Sequence, residues 1–168
     1  GKFLNQTCPS CGDELTTDMT VQQDGKILLF GITYSAINER DNYQLIRLHP
    51  DGRIDSSFGK NGIVNTDFDS TFDRGISMAV QSDRKIICSG FVYNGQDWDF
   101  GLVRYLPDGS LDSGFGVGGK LITAIGRGND VAYALAIQTD GKIVAGGLSV
   151  VDTPNIYHFA LVRYETDG

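Results

Sequence analysis

Two short segments of this chain place a pair of carboxylates on either side of an aromatic residue. They are Asp67-Phe68-Asp69 and Asp97-Trp98-Asp99. Paired carboxylates bind hard cations such as Ca²⁺ and act as acid and base in glycoside hydrolysis. Neither segment has the further oxygen ligands of a recognisable calcium loop, and Asp is also a common turn residue. We therefore expect no metal and no cofactor, and we interpret these residues as parts of loops.

The cysteine pair Cys8-Pro9-Ser10-Cys11 is a second candidate for chemistry, because this spacing occurs in zinc ribbons and redox pairs. A zinc site needs two more ligands, and neither His49 nor His158 lies at a suitable spacing. A thioredoxin-like role needs a βαβ setting that is missing here. A loop disulfide between Cys8 and Cys11 and two free thiols both stay open. Cys88 lies in an apolar run and is expected to pack as a small apolar residue.

No catalytic motif was found in the sequence. It has no nucleophile elbow, no His-Asp-Ser set and no cluster of metal ligands. We therefore predict that the chain is not an enzyme, with no catalytic residue and no metal site.

The composition excludes several classes of partner. The chain has 168 residues, of which 40% are hydrophobic and 21% charged, as in a folded domain. Its formal net charge of −7 disfavours binding to nucleic acid phosphates. No apolar run approaches the roughly 20 residues that a membrane-spanning helix needs. We therefore expect no nucleic acid partner and no membrane insertion.

A motif repeated three times fixes the architecture. It reads Gln-x-Asp-x-Lys-Ile and begins at Gln22, Gln81 and Gln138, with spacings of 59 and 57 residues. A second motif follows each copy, as Leu45–Leu48, Leu102–Tyr105 and Leu161–Tyr164. A fixed period of this size is typical of a repeat protein in which one supersecondary unit packs on copies of itself.

The third copy is the clearest to interpret in terms of strands. Val131–Ile137 and Lys142–Gly146 flank an Asp-Gly turn, whose two central residues are expected to need positive φ, and Phe159–Tyr164 follows as a third strand. In the earlier copies a fourth strand follows, as Ile63–Thr66 and Lys120–Thr123. The strands are apolar on both faces, as in a sheet buried on both sides.

The predicted fold is therefore all-β: β-propeller blades in three repeats of about 57–60 residues, each a four-stranded antiparallel meander. We assign a single repeat domain over 1–168, with repeat 1 at about 1–59, repeat 2 at about 60–116 and repeat 3 at about 117–168. In the second copy, Arg84 replaces the turn glycine, which puts the type of turn in doubt there.

The same residues resemble the delta-60 repeat family. They are Ala136-Ile137-Gln138-x-Asp140-Gly141-Lys142-Ile143, then Phe159-Ala160-Leu161-Val162-Arg163-Tyr164, and the Leu-Asp-Ser-x-Phe-Gly run that ends at Gly116. The resemblance covers the chain except the segment near Cys8 to Thr17. It implies a bacterial β-propeller repeat protein, exported in many members and without an established activity.

The start of the chain lines up with a fourth strand. Gly1–Asn5 aligns with Gly62–Asn65, so the last unit lacks its own outer strand. Three blades are fewer than the usual four to eight. We favour a piece of a longer protein over several copies that complete a ring or an open stack by pairing terminal strands.

An arginine recurs in each third strand, at Arg47, Arg104 and Arg163. A half-buried guanidinium needs a partner, and Asp55 and Asp112 lie eight residues after the first two. We interpret these five residues as structural ties rather than as an anion site.

Alternate connections of a meander lie at the same end of a blade. The Asp-Gly hairpins and the Pro-Asp-Gly connections share one end, and they are nearly identical between copies. The other end collects loops that differ, namely 6–17, 67–74 and 125–130 together with 33–42, 93–99 and 149–158. Diverse loops on a rigid scaffold are typical of a binding surface. The predicted ligand-binding residues there are Tyr34, Asp67, Asp69, Tyr93, Asp97, Trp98, Asp99, Arg127, Asp130 and Tyr157.

The leading hypothesis is a non-catalytic scaffold or binding module, secreted or on the cell surface, that contacts protein or glycan through these loops. A structural subunit that assembles head to tail by strand exchange into a ring or fibre is the first alternative. A propeller hydrolase is the least favoured one. Fold alone cannot decide among them, because propellers serve all three roles.

Overall fold

The computed structural model describes residues 11–35, 40–151 and 156–168. The first sheet is a meander of four antiparallel strands in the order β1-β2-β3-β4. The strands are β1 (Cys11–Val21), β2 (Ile27–Ser35), β3 (Arg40–Leu48) and β4 (Ile63–Thr66). We call this sheet blade 1.

Blade 2 repeats the same topology. Its strands are β5 (Asp73–Val80), β6 (Ile86–Tyr93), β7 (Trp98–Tyr105) and β8 (Lys120–Thr123). Blade 3 has three strands in the described part of the chain, β9 (Asp130–Ile137), β10 (Ile143–Ser149) and β11 (His158–Tyr164). The all-β fold with three propeller-type repeats is confirmed, and the sheets do not close into a ring. Blades and predicted repeats are offset, because β4 and β8 complete the blade before them.

The hairpins that join the first two strands of each blade share one backbone conformation. In blade 1 the Gly25 amide donates to the Gln22 carbonyl at 2.9 Å, and the Gln22 amide donates to the Lys26 carbonyl at 2.7 Å. Positive φ falls on a single residue per turn: Gly25 at 80°, Arg84 at 69° and Gly141 at 85°. The expectation that both central residues need positive φ is therefore wrong, and Arg84 adopts the glycine conformation.

Blade 2 buries its two faces against different neighbours, blade 1 and blade 3. We call the face toward the preceding blade the front face and the face toward the following blade the back face. The back face of blade 1, with Phe30, Tyr43 and Leu45, packs with Cys88 and Tyr105 of blade 2 in one apolar cluster. The Tyr43 hydroxyl donates to the Gly101 carbonyl of blade 2 at 3.1 Å. The core therefore lies between the sheets rather than inside any one of them.

The second interface repeats the first. Phe100, Leu102 and Phe115 on the back face of blade 2 pack with Ile143 and Tyr164 of blade 3. Small residues allow the sheets to approach closely. A Cβ at Gly75 would lie 2.3 Å from the Phe30 ring of the preceding blade, so a larger residue there would displace the neighbouring sheet.

Candidate functional site: the loop end of the blades

The connections alternate between two ends of the blades. The joint end carries the uniform turns 22–26, 49–62, 81–85, 106–119 and 138–142. The loop end carries the connections 67–72, 94–97 and 124–129 with residues 150–151 and 156–157. The rigid sheets thus present the diverse loops together.

One predicted loop is wrong in its described part. Residues 6–10 lie outside the described residues, but Cys11–Thr17 belong to β1, where Glu14 pairs with Thr33 and Leu15 with Ile32. Register shifts in β1 absorb the extra length that sequence comparison assigned to a loop. Cys8 also lies outside the described residues, so the disulfide to Cys11 stays a prediction.

The predicted binding residues divide between loops and strand ends. Asp67, Asp69, Asp97, Arg127 and Tyr157 lie in loops, whereas Tyr34, Tyr93, Trp98, Asp99 and Asp130 lie in the adjoining strands. Strand residues at this end are held by ladder hydrogen bonds, so their side chains have better-defined positions than those of the loops.

The loop between β4 and β5 uses its carboxylates to hold its own backbone. Asp67 Oδ1 accepts the Asp69 amide at 2.7 Å, and Asp69 has a φ of 66°. Asp73 is fully buried and accepts the Phe68 amide at 2.7 Å and the Ser70 hydroxyl. Burial raises the pKa of Asp73 despite these hydrogen bonds, with the Asp67 charge adding to the rise.

Basic residues also contact this loop. Arg40 lies 3.3 Å from Asp67 Oδ2, and Lys120 Nζ donates to the Asp67 carbonyl at 2.5 Å. Both oxygens of the Asp67 carboxylate therefore have partners within the protein. Asp67 and Asp69 therefore act as turn residues and not as cation ligands.

The loop between β6 and β7 is organised by Asn94, which sequence reasoning missed. Its Nδ2 donates to Asp97 Oδ1 at 2.5 Å and to Asp99 Oδ2 at 2.8 Å, so one amide joins the two carboxylates of the predicted pair. Its Oδ1 accepts the amides of Gln96 and Asp97. Burial raises the pKa of Asp99, and the charges of Asp97 and Asp130 add to the rise although Asn94 opposes it.

Asp130 holds the loop between β8 and β9. Its buried carboxylate accepts the Ile125 amide at 2.6 Å and the Gly126 amide at 3.1 Å. Arg127 is exposed in the same loop, where its amide donates to the Val150 carbonyl at 3.1 Å. Asp130 therefore stabilises the loop through its carboxylate, whereas the side chain of Arg127 is exposed to solvent.

Aromatic residues form an exposed patch on blade 2. Trp98 stacks on Phe91 with ring centroids 4.8 Å apart, and its amide donates to Asn129 Oδ1 of the next connection at 3.2 Å. Phe72 meets Tyr93 edge to face at 6.4 Å. Trp98 is 36% exposed and Phe72 is 43% exposed. We call Phe72, Phe91, Tyr93 and Trp98 the aromatic patch.

The other two predicted tyrosines belong to different blades. Tyr34 is half-buried in β2 of blade 1, and Tyr157 is exposed just before β11 of blade 3. Sequence reasoning missed Phe72, Phe91, Asn94 and Asn129. Phe72 could have been found from the sequence, because it is a phenylalanine in the acidic loop after β4. The role of Asn129 could not, because it depends on a contact with a different connection.

The acidic groups do not form a metal site in the part of the chain that the structure describes. Among residues 11–35, 40–151 and 156–168 no group of three or more His, Cys, Asp or Glu side chains could hold an ion. The carboxylates of Asp67, Asp73, Asp99 and Asp130 instead accept hydrogen bonds from nearby amide groups.

At the joint end, the pKa of a buried carboxyl group is lowered rather than raised. Arg47 Nε donates to Asp55 Oδ2 at 2.8 Å and its guanidinium lies 4.4 Å from the Phe58 ring centroid, while Lys26 lies 3.0 Å from the same carboxylate. Burial would raise the pKa of Asp55, but hydrogen bonds from Ser57 and Lys26 and the Arg47 charge hold it well below its usual range. Arg47 also donates to the Pro107 carbonyl at 2.6 Å and so links blade 1 to blade 2.

Blade 2 repeats this arrangement. Arg104 Nε donates to Asp112 Oδ2 at 2.8 Å, its guanidinium lies 4.7 Å from the Phe115 ring centroid, and Lys85 lies 3.1 Å from Asp112. Arg104 also donates to the Thr166 carbonyl of blade 3. Arg163, the third member of the predicted set, is exposed. The first two arginines therefore tie adjacent blades together.

The repeated sheets, their shared interfaces and the uniform joints define a β-propeller repeat protein. The family model described as "Domain of unknown function (DUF5122) beta-propeller" matches residues 22–58, 81–115 and 138–168, once in each blade. The chain belongs to this family, which is the delta-60 repeat type that the sequence resembles. A comparison with curated proteins gave no match. Within the described residues no helix is long and apolar enough to cross a membrane.

Proposed function

We propose that this β-propeller domain is a non-catalytic binding module that contacts a protein or a glycan through the loop end of its blades. The observation that carries the proposal is the aromatic patch, in which Trp98 and Phe72 stay exposed while Phe91 and Tyr93 support them from the sheet. Exposed aromatic rings on a rigid scaffold give a large contact area at low entropic cost.

Polar groups at the rim of the patch can form directional hydrogen bonds with a partner. Asn94 and Asp97 lie in the loop that leads into Trp98, and Asn129 contacts Trp98 from the next connection. An apolar centre with a polar rim is the usual layout of a binding surface. Sugar rings and peptide segments both present an apolar face with hydrogen-bonding groups at its edge.

The absence of catalysis is part of the proposal. Asp73, Asp99 and Asp130 are buried and accept hydrogen bonds from the protein, so their carboxylates stabilise the loop conformations. A general acid or base must instead reach a substrate proton. Neutralising one of them should therefore loosen a loop rather than abolish a turnover.

Trp98 provides a direct test, because it is the only tryptophan in the chain. The chain is applied to an array of immobilised oligosaccharides and to an array of peptides, and hits are titrated by Trp98 fluorescence. We expect saturable binding with a shift in emission. Trp98→Ala should weaken binding by at least about tenfold, as for an aromatic hot spot, when measured by surface plasmon resonance.

The matched control is Val117→Ala, which removes an exposed apolar side chain at the joint end and should leave binding unchanged. Capture of an oligosaccharide would assign a glycan ligand, and capture of a peptide would assign a protein ligand. Failure of every probe, or binding that does not depend on Trp98, would contradict the proposal.

The proposal places the domain outside the cell, secreted or on the cell surface. Its support is the export implied by the resemblance to delta-60 repeat proteins. The test is protease treatment of intact cells that express the tagged protein. Digestion, or recovery from the medium, is expected, and full protection inside the cell would contradict this location.

A further inference from the structure

A cavity at the joint end lies between the first hairpins of blades 1 and 2, and we call it the hairpin cavity. Its volume is about 460 Å³, within the range of small-molecule sites. Each hairpin contributes the last residue of its first strand and the turn that follows. The lining residues are Val21, Gln22, Gln23 and Asp24 of blade 1 and Val80, Gln81, Ser82 and Arg84 of blade 2. The cavity is therefore formed between two adjacent blades of this chain.

Two equivalent glutamines of the hairpin cavity have an unused hydrogen-bond acceptor. Gln22 Oε1 and Gln81 Oε1 are both buried, and neither has a hydrogen-bond partner among residues 11–35, 40–151 and 156–168. A buried polar atom without a partner costs free energy, so folded proteins rarely keep one unless water or a ligand supplies the donor. The same atom is unpartnered at the same repeat position in two blades. We therefore interpret it as a feature of the cavity and not of one turn.

Arg84 adds a cationic donor that the other two hairpins lack at this position. It stands where blade 1 has Gly25 and blade 3 has Gly141, and it keeps the glycine conformation with a φ of 69°. This φ is unfavourable for a residue with a side chain, and strained residues of this kind cluster at functional sites. The guanidinium forms no ion pair and no hydrogen bond with the described part of the chain. Its donors are therefore available to a ligand.

The chemistry of the lining favours a neutral ligand with several hydroxyl groups. The half-exposed Asp24 adds a carboxylate to the two amide oxygens, so the acceptors outnumber the single cationic donor. This carboxylate and the net charge of −7 disfavour an anion. Sugar hydroxyl groups donate to amide and carboxylate oxygens and accept from a guanidinium. Val21 and Val80 can contact the C–H face of a sugar ring.

We propose that the hairpin cavity binds a neutral sugar unit. Gln22 Oε1 and Gln81 Oε1 accept hydrogen bonds from its hydroxyl groups, and the Arg84 guanidinium donates to another hydroxyl. Among the three copies of the repeat, the turn glycine is replaced in blade 2 alone, so this site belongs to the pair of blades 1 and 2. It lies at the joint end and does not depend on a ligand at the loop end.

The test is a titration of the ¹⁵N-labelled chain with D-glucose, D-galactose, D-mannose and N-acetyl-D-glucosamine, followed by NMR of the backbone amides. At least one sugar should bind saturably, with the chemical shift changes centred on Gln22, Gln81 and Arg84. A ligand held by a few hydrogen bonds in an open cavity is expected to bind with a dissociation constant of about 1 mM, so the titration extends to about 20 mM.

Two variants separate sugar binding from folding. Gln81→Met removes the unpartnered amide oxygen at nearly the same side-chain volume, and Arg84→Gly removes both the guanidinium and the unfavourable φ. They should raise the dissociation constant of the sugar by about fivefold and about tenfold, respectively. Neither should lower the midpoint of thermal denaturation, because neither removes a side-chain hydrogen bond within the described chain. A residue with a purely structural role would instead lose stability on substitution.

Matched controls change similar residues outside the hairpin cavity. Gln138→Met alters the same repeat position in blade 3, where the glutamine is exposed, and Arg53→Ala removes an exposed arginine of a joint. Neither should change the dissociation constant. Trp98→Ala, at the loop end, should also leave this binding unchanged, which separates the hairpin cavity from the aromatic patch.

The absence of sugar-dependent shifts at Gln22, Gln81 and Arg84 would overturn the proposal, because water would then be the only partner of the two amide oxygens. Sugar binding that Gln81→Met and Arg84→Gly both leave unchanged would overturn it as well. Binding of acetate or inorganic phosphate in place of every sugar would contradict the neutral class of ligand. If one variant fails to fold, the other decides the outcome.

Discussion

Strands β7 and β11 carry the same residues in different surroundings. Both read Phe-x-Leu-Val-Arg-Tyr, over Phe100–Tyr105 and Phe159–Tyr164. In β7 the Phe, Leu and Arg are buried, whereas in β11 all three are exposed. β11 pairs with β10 in the same antiparallel register as β7 with β6, and β7 pairs in addition with β8. The face that carries the Phe and the Leu is covered by blade 3 in β7 and by no described blade in β11. In this repeat, a residue's burial is therefore set by the adjacent blade.

The largest expected difference between the two strands is at the phenylalanines. Phe100→Ala should lower the free energy of unfolding by about 4 kcal/mol, because it removes a buried ring and leaves a cavity. Phe159→Ala should change it by less than about 0.5 kcal/mol, because its side chain is exposed. Chemical denaturation measures both, and equal losses would contradict the comparison.

The arginines should show the next largest difference. Arg104→Ala leaves the buried carboxylate of Asp112 without its guanidinium and removes the link to the Thr166 carbonyl, at a cost of about 3 kcal/mol. Arg163→Ala removes an exposed side chain and should cost less than about 0.5 kcal/mol. Urea titrations of the two variants give the values. A large loss for Arg163→Ala would show that this residue is tied in the same way.

Acid should weaken the ties of blades 1 and 2. Burial would raise the pKa of Asp112, but hydrogen bonds from Lys85 and Gly114 and the charge of Arg104 lower it, as similar partners do for Asp55. A carboxyl group with a lowered pKa in the folded state stabilises the fold above its unfolded pKa of about 4, and this stability is lost as the pH falls through the folded pKa.

We therefore expect the free energy of unfolding to decrease as the pH falls below about 4. Asp112→Asn should be less stable at pH 7 and should flatten this dependence. Ser113→Ala, at an exposed neighbour, should keep the slope of the unmodified chain. Denaturation at a series of pH values measures the slopes, and an unchanged slope for Asp112→Asn would contradict the role of this tie.

The smallest effect is expected in the first hairpins of blades 2 and 3. Arg84 has a φ of 69° at a position where blade 3 has Gly141. Arg84→Gly should stabilise blade 2 by up to about 1 kcal/mol, because glycine adopts positive φ without steric cost although it adds freedom to the unfolded chain. Gly141→Arg should destabilise blade 3. Thermal denaturation checks both signs, and a loss of stability in Arg84→Gly would contradict the explanation.

Much of the fold was predictable because the same local sequence pattern occurs three times in the chain. The outer strands Ile63–Thr66 and Lys120–Thr123 have the predicted bounds, and the meander placed joints and loops at opposite ends. The pairing of Arg47 with Asp55 follows from an eight-residue spacing around one turn. Its second contact, with the Pro107 carbonyl, depends on how two blades pack and has no local signal.

The loop end was less predictable because its contacts are specific to each blade. Asn94 joins Asp97 to Asp99, and Asn129 reaches Trp98 from 31 residues away. The error over Cys11–Thr17 has a related cause. The segment differs from its counterparts in sequence and length, yet it pairs with β2 through register shifts. Repeat comparison therefore predicts what the blades share and fails where one blade is distinct.

Hydroxyl-radical footprinting of the unmodified chain tests most directly the central claim, that the adjacent blade sets burial, because it measures side-chain exposure residue by residue. We predict that Phe159 and Met19 are oxidised, because no adjacent blade of this chain covers them. Phe100 and Met78 should be protected, and Val117 should be reactive. Equal oxidation of Phe159 and Phe100, or of Met19 and Met78, would contradict the claim that the adjacent blade sets burial.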